Sequence, residues 1–94
     1  MLKDVVDVRV MDDYQLHLWF EDGVQGIVDV ADFVAFTGVF APLRAHDYFR
    51  TVHVDAELGT VCWPNGADLD PDVLYSLVTG EPILMAEHEA LLVA

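Results

Sequence analysis

A block of fifteen residues at 61–75 constrains the fold of this chain more than any other feature, because it joins a strand, a turn and a helix start. It reads Val-Cys-Trp-Pro-Asn-Gly-Ala-Asp-Leu-Asp-Pro-Asp-Val-Leu-Tyr. Pro64 is suited to end a strand because proline donates no backbone hydrogen bond. Asn65 and Gly66 are typical turn residues, since both accept backbone angles that other residues avoid. The block therefore predicts a strand that ends at Trp63, followed by a turn.

The second half of the block predicts a helix at about 71–79. Asp70 is suited to cap it, Pro71 fits its first position, and Gly80 can end it in a left-handed conformation. We expect its inner face to consist of Val73, Leu74, Leu77 and Val78.

Alternation of apolar and polar residues predicts three strands, at 5–11, 14–20 and 24–28. Asp22 and Gly23 predict a tight two-residue turn between the last two of them. The core-facing side chains are expected to be Val6, Val8 and Val10 in the first strand and Tyr14, Leu16, Leu18 and Phe20 in the second.

The middle of the chain is less regular. Asp29 predicts the start of a short helix that runs to Ala35 and is ended by Gly38. The pattern at 39–50 predicts no regular element, and the expected core anchors there are Phe40, Leu43, Tyr48 and Phe49.

Two further runs, 51–54 and 60–63, predict a hairpin with a loop at 55–59. Together these elements predict a small α+β fold, in which short helices pack on an antiparallel sheet made of a three-stranded meander plus a hairpin.

The length of 94 residues predicts a single domain at 1–94, with a core at about 3–80 and a C-terminal helical segment at 82–93. Apolar residues make up 54% of the chain, more than so small a domain can bury. We therefore expect a homodimer, formed through an exposed sheet edge and the C-terminal stripe that contains Leu84, Leu91 and Leu92.

The chain carries seventeen acidic and four basic residues, which gives a net charge of −13. This charge repels phosphates and anionic membrane surfaces, so it argues against direct binding of nucleic acid or membrane and favours a basic protein partner. An equally simple explanation is that the charge keeps an apolar small domain dispersed. The N-terminus shows no secretory pattern, and we expect a cytoplasmic protein.

Asp68, Asp70 and Asp72 alternate in a way that superficially suggests a calcium loop. Counted from Asp68, the sixth and twelfth positions of such a loop are Val73 and Thr79 instead of glycine and glutamate, so the pattern fails. Turn and cap chemistry explains the three aspartates. The alternative function is a small metal-dependent or catalytic domain that uses these aspartates and the His53 region.

Cys62 and His53 are a possible nucleophile and base. If Val54 pairs with Thr60, however, His53 pairs with Val61 and lies on the opposite face of the sheet from Cys62. The sequence therefore favours Cys62 as a buried structural cysteine, although a slip of register would reverse the argument about faces.

The four histidines are scattered, and no phosphate loop, dinucleotide fingerprint or nucleophile elbow is present. We predict no cofactor, and the sequence favours a non-enzymatic role.

One candidate interaction surface remains, in which an aromatic cluster lies beside the acidic turn. It consists of Trp63, Pro64, Asn65, Gly66, Asp68, Asp70 and Tyr75. The alternative is that Trp63 fills the core and the other residues only make the turn.

The sequence resembles the domain of unknown function 2442 family. The most specific likeness is the segment 63–75, and weaker ones are 14–18, 20–23, 28–30, 38–40 and Phe49. The resemblance implies a small α+β domain with a curved antiparallel sheet, and it defines no catalytic residues.

Some members of that family carry a helix-turn-helix DNA-binding domain after this module, and some are encoded beside a small partner family in arrangements resembling toxin–antitoxin pairs. This chain ends at Ala94, so we expect it to lack the DNA-binding extension and to act through another protein. The resemblance thus implies an antitoxin-like or regulatory partner protein.

Overall fold

The computed structural model describes residues 3–80, and the predicted segment at 82–93 lies outside them. The elements of this part are β1 (Val5–Val10), β2 (Gln15–Phe20), β3 (Gln25–Asp29), α1 (His46–Phe49), β4 (His53–Asp55), β5 (Thr60–Cys62) and α2 (Pro71–Thr79). Two 3₁₀ helices, Val30–Asp32 and Gly38–Arg44, lie between β3 and α1. β1, β2 and β3 form an antiparallel sheet in that order, and β4 pairs with β5. The predicted α+β fold is confirmed.

β2 is the central strand of the meander and supplies much of its core. Leu16, Leu18 and Phe20 are buried on one face, as the alternation predicted. In β1 the prediction for Val6 is wrong, because the pairing with β2 shifts between Val5 and Asp7. This irregularity places Val5 in the core and leaves Val6 54% exposed.

The turn between β2 and β3 is longer than predicted. The Phe20 N–H donates to the Val24 carbonyl (2.8 Å) and the Gly23 N–H to the Phe20 carbonyl (2.9 Å), so three residues form the loop. Gly23 adopts a φ of +92°. A turn followed by one left-handed glycine is a common hairpin connection, and it needs a positive φ at this glycine alone.

The predicted helix from Asp29 to Ala35 is wrong in extent. Asp29 caps as expected, since its Oδ1 accepts from the Ala31 N–H at 3.1 Å. Phe33 then leaves the helical region with a φ of −131°, so only one 3₁₀ turn forms. Gly38, with a φ of +57°, begins the next 3₁₀ helix instead of ending the first.

Helix α2 has the bounds and caps that the sequence predicted. Asp70 Oδ1 accepts from the Asp72 N–H at 2.8 Å, and Gly80 is left-handed with a φ of +79°. The predicted inner face needs one correction, because Leu77 is 48% exposed. The helix lies against β3 at Gly26, where an added Cβ would approach Val78 Cγ1 to 2.7 Å.

The buried core joins both sheets and α2. Its largest side chains are Trp63, Phe49, Leu16, Leu18, Leu43 and Leu74. The predicted anchors of the irregular middle segment are confirmed, with Leu43 and Phe49 fully buried and Phe40 and Tyr48 packed against the core. Within residues 3–80, no helix is both long and apolar enough to cross a membrane.

Candidate functional site

The block that dominates the sequence doubles back on itself after β5. The Trp63 N–H donates to the Ala67 carbonyl (2.9 Å) and the Leu69 N–H to the Val61 carbonyl (3.2 Å). Residues 67–69 therefore run antiparallel to β5. The turn that connects them closes with a 2.9 Å hydrogen bond from the Gly66 N–H to the Trp63 carbonyl.

Asn65 connects this turn to the irregular middle segment. Its side-chain nitrogen donates to the Val39 carbonyl at 2.9 Å, and its side-chain oxygen accepts from the Ala67 N–H at 3.1 Å. Its backbone N–H donates to the Tyr48 hydroxyl at 2.8 Å. Asn65 thus has a structural role that turn propensity alone did not reveal.

Trp63 fills the core, which resolves the two interpretations of this residue. It is 1% exposed, and its Nε1–H donates to the Phe49 carbonyl at 2.9 Å. The expectation that Trp63 contributes to an exposed interaction surface is therefore wrong. The other predicted residues do reach the surface, and we call them the turn surface: the exposed Pro64, Asn65, Gly66, Asp68 and Asp70, and the half-buried Tyr75. That this surface binds a partner stays a prediction.

The predicted separation of Cys62 and His53 is wrong. β4 and β5 pair with His53 opposite Cys62, one residue away from the expected register. The two side chains share a face, and Cys62 Sγ lies 3.3 Å from His53 Nε2. The register changes because Asp55 belongs to the strand and its carboxylate accepts from the N–H groups of Glu57 and Leu58, which shortens the loop.

The contact of this pair is that of a nucleophile and its base, but the surroundings of Cys62 disfavour a reactive thiolate. His53 Nδ1 lies 3.3 Å from the Thr51 carbonyl, so Nδ1 is assigned the proton and Nε2 accepts from the thiol. Burial raises the pKa of the Cys62 thiol, and the carboxylates of Asp55 and Asp68 raise it further. A raised pKa keeps the thiol protonated and less reactive, and Cys62 is buried, as predicted.

The three alternating aspartates have separate local roles. Asp70 caps α2, Asp72 lies in the first turn of the helix, and Asp68 is exposed beside β5. Within residues 3–80, no three His, Cys, Asp or Glu side chains form a group that could hold a metal ion.

The acidic charge is left largely uncompensated at the surface. In the part of the chain that the structure describes, the one ion pair is His46 with Asp13, whose atoms are 3.9 Å apart. Arg44 donates to the Phe36 carbonyl at 2.9 Å, so its guanidinium hydrogen-bonds to backbone. The surface thus presents negative charge with few cations beside it.

A cavity at the edge of the meander was missed by the sequence reasoning. It measures about 190 Å³ and is lined by Ile27, Val28, Asp29, Asp32, Phe33 and Leu77. The two most exposed apolar residues of this lining, Ile27 and Leu77, are 50% and 48% exposed. Because they lie fifty residues apart in the sequence, no local pattern brings them together.

The model of a family described as "Protein of unknown function (DUF2442)" matches residues 5–80. No curated protein and no solved structure is significantly similar to this chain.

Proposed function

Because this chain belongs to the DUF2442 family, whose description assigns no activity, we propose a function from its own charge and geometry: it is a non-enzymatic module that binds a basic protein partner. Some members of the family are encoded beside a small partner family in arrangements resembling toxin–antitoxin pairs. We therefore propose that this module is an antitoxin-like or regulatory member of a two-protein system. The turn surface is the proposed contact region.

The uncompensated negative charge carries this proposal. The net charge is −13, and within residues 3–80 no lysine or arginine lies within ion-pair distance of a carboxylate. Such a surface speeds encounter with a cationic partner and selects against anionic ones.

The proposal is tested by purifying the tagged full chain from its native host at low and at high salt. We expect a stoichiometric basic protein at low salt and its loss at high salt, because salt screens exposed charges. Recovery of no stoichiometric partner at low salt would contradict the proposal.

A pair of matched variants then tests the turn surface. Asp68→Asn with Asp70→Asn removes two charges there, and asparagine still caps a helix. Asp12→Asn with Asp47→Asn removes the same charge from exposed positions elsewhere. We expect the first variant to retain much less partner than the second, and equal retention would exclude the turn surface as the contact.

The second candidate function is a metal-dependent or catalytic domain that uses the Asp68, Asp70, Asp72 and His53 region. One observation bears on the catalytic form of this function: Cys62 pairs through its backbone with both His53 and Asp68, and its Sγ lies 3.3 Å from His53 Nε2. Within residues 3–80, the side chains of these three residues do not form a group that could hold a metal ion. Elemental analysis of metal-depleted and reconstituted protein separates the two functions. A genuine site should bind about one equivalent and raise the melting temperature, because a ligand of the folded state stabilises it.

A further inference from the structure

The two edges of the three-stranded meander differ in their surroundings. Near the β1 edge, the Val5 N–H donates to the Gly59 carbonyl at 2.9 Å, and β1 lies against β4 and β5. β3 is the other outer strand, and no strand of residues 3–80 pairs with its outer side.

The backbone groups that β3 directs outward follow from its register with β2. Hydrogen bonds join Phe20 to Val24 and Tyr14 to Val30, at the two ends of the pairing. In an antiparallel pair, bonded and non-bonded residue pairs alternate. The β3 residues of the bonded pairs are therefore Val24, Gly26, Val28 and Val30, and the N–H and C=O groups of Gln25, Ile27 and Asp29 point away from β2.

The 190 Å³ cavity lies along this open edge and contains residues of three elements. Ile27 and Asp29 come from β3, Asp32 and Phe33 lie at the 3₁₀ helix that follows it, and Leu77 comes from α2. An exposed strand edge beside a groove that can hold a side chain is the arrangement that accepts an added strand, and this groove has both apolar and acidic lining residues. The backbone of β3 would form hydrogen bonds with the main chain of the added strand, and the groove would hold one side chain of that strand.

We propose that the outer edge of β3 is a strand-addition site for an extended segment of a partner protein, in which lysine or arginine residues alternate with apolar ones. The apolar side chain occupies the groove at Phe33 and Leu77. The cationic side chains lie near Asp29 and Asp32.

The charge of the edge selects this occupant over a second copy of the chain. Both ionisable residues of the cavity are aspartates, and the whole chain carries −13. A second copy, which the sequence analysis expects at an exposed sheet edge, would bring the same aspartates and the same net charge to this edge, and both oppose association at low salt. A cationic segment is attracted both by these two aspartates and by the net negative charge of the chain. None of the cavity residues belongs to the turn surface, so this site is independent of the contact proposed above.

The test uses the full chain and a nine-residue peptide of alternating lysine and valine, acetylated and amidated at its ends. Amide hydrogen exchange measured by NMR reports directly on the outward N–H groups. Saturating peptide should slow exchange of the Gln25, Ile27 and Asp29 amides by at least about tenfold, because a new hydrogen bond protects each donor. A matched peptide of alternating glutamate and valine should give no protection.

Two substitutions at one position separate strand addition from general attraction between charges. Ile27→Pro removes an outward N–H without removing a bond to β2, since proline is tolerated at such edge positions. Ile27→Thr keeps both the N–H and the branched side chain. The lysine–valine peptide should protect Gln25 and Asp29 in the threonine variant and leave them unprotected in the proline variant. If Ile27→Pro does not fold, Ile27→Lys replaces it, because an edge lysine disfavours strand addition and repels this peptide.

Several outcomes would overturn the proposal. It fails if the lysine–valine peptide binds without protecting the Ile27 amide, if the glutamate peptide protects as well, or if the blocking variant binds like the threonine variant. It also fails if the Ile27 amide is already protected in the protein alone. Protection that grows with protein concentration would identify a second copy as the occupant, and protection that does not would identify a segment of the same chain.

Discussion

The turn at 63–70 and the outer edge of β3 differ in the hydrogen bonding of their polar groups. In the turn, Trp63 and Asn65 together form hydrogen bonds to Phe49, Tyr48, Val39 and Ala67. At the edge, the outward backbone groups of Gln25, Ile27 and Asp29 have no strand of residues 3–80 beside them.

The two regions show that side-chain contacts can be recognised in a sequence more readily than free backbone groups. The turn is conspicuous in the sequence because its contacts require particular side chains, such as an indole N–H that reaches a buried carbonyl. The edge is inconspicuous because its binding capacity lies in backbone groups, which every residue except proline carries in full. The distinctive motif is therefore evidence about architecture here, whereas the free backbone groups of the β3 edge become visible only in the structure.

The largest expected effect comes from comparing the two tryptophans of the chain. Trp63→Ala should lower the free energy of unfolding by about 3–5 kcal/mol, because it leaves a cavity in the core. Trp19 is half-buried and stacks on His17 with the rings 3.9 Å apart. Trp19→Ala should therefore cost less, about 1–2 kcal/mol, because it loses this stacked contact and only part of a buried surface. Guanidinium denaturation of both variants checks this, and equal losses would show that Trp63 does not anchor the fold.

A smaller effect is expected at the turn itself. Asn65→Ala removes one donor and one acceptor and should cost about 2 kcal/mol, since each net hydrogen bond contributes about 1 kcal/mol. Pro64→Ala is the control, because this neighbouring residue is exposed and should change stability by less than about 0.5 kcal/mol. If both variants are equally stable, the turn does not hold the middle segment through Asn65.

The sequence predicted elements whose signals are local. The limits of α2 follow from Asp70, Pro71 and Gly80, each of which acts on the backbone beside it, and the structure has them as expected. The core face of β2 follows in the same way from its alternation. The sequence does not decide whether Trp63 is buried, because its burial depends on the residues that pack against it, and its partner Phe49 lies fourteen residues away.

The sequence-based prediction failed where a single residue decides the length of a loop and therefore the register of two strands. The β4–β5 register depends on whether Asp55 ends the strand or begins the loop, and its carboxylate decides this by accepting from two N–H groups of the loop. That shift alone moves His53 onto the face of Cys62. The β3 cavity could not be predicted at all, since Leu77 meets Ile27 only after α2 has packed at Gly26.

If the outer edge of β3 is exposed, replacing two neighbouring residues of this strand by alanine should lower the free energy of unfolding by different amounts. Val28 is 5% exposed, so Val28→Ala should cost about 2 kcal/mol from lost burial and a residual cavity. Ile27 is 50% exposed, and Ile27→Ala should cost less than about 0.5 kcal/mol. A loss at Ile27 as large as that at Val28 would mean that the edge is covered in solution.

The smallest expected effect concerns the contact that joins α2 to the β2–β3 turn. The Tyr75 hydroxyl donates to Asp22 Oδ2 at 2.6 Å, and the Val24 N–H donates to Oδ1 at 3.0 Å. These two bonds lower the pKa of Asp22 below its ordinary value of 3.8, the tyrosine bond having the larger effect. The stability that this carboxylate contributes is therefore complete above that value and is lost as the pH falls through the lowered pKa.

Tyr75→Phe keeps the ring that packs edge-on against Phe20 at 5.0 Å and removes the hydroxyl. The pKa of Asp22 should rise toward 3.8, which carboxyl-carbon NMR titration measures directly. Tyr48→Phe is the matched control, because it removes a hydroxyl that accepts from the Asn65 backbone N–H in the turn at 63–70. It should leave the pKa of Asp22 unchanged. An unchanged pKa in Tyr75→Phe would show that the hydroxyl does not hold Asp22 in solution. A rise in both variants would show instead that losing the Tyr48 hydroxyl changes the surroundings of Asp22 through the fold.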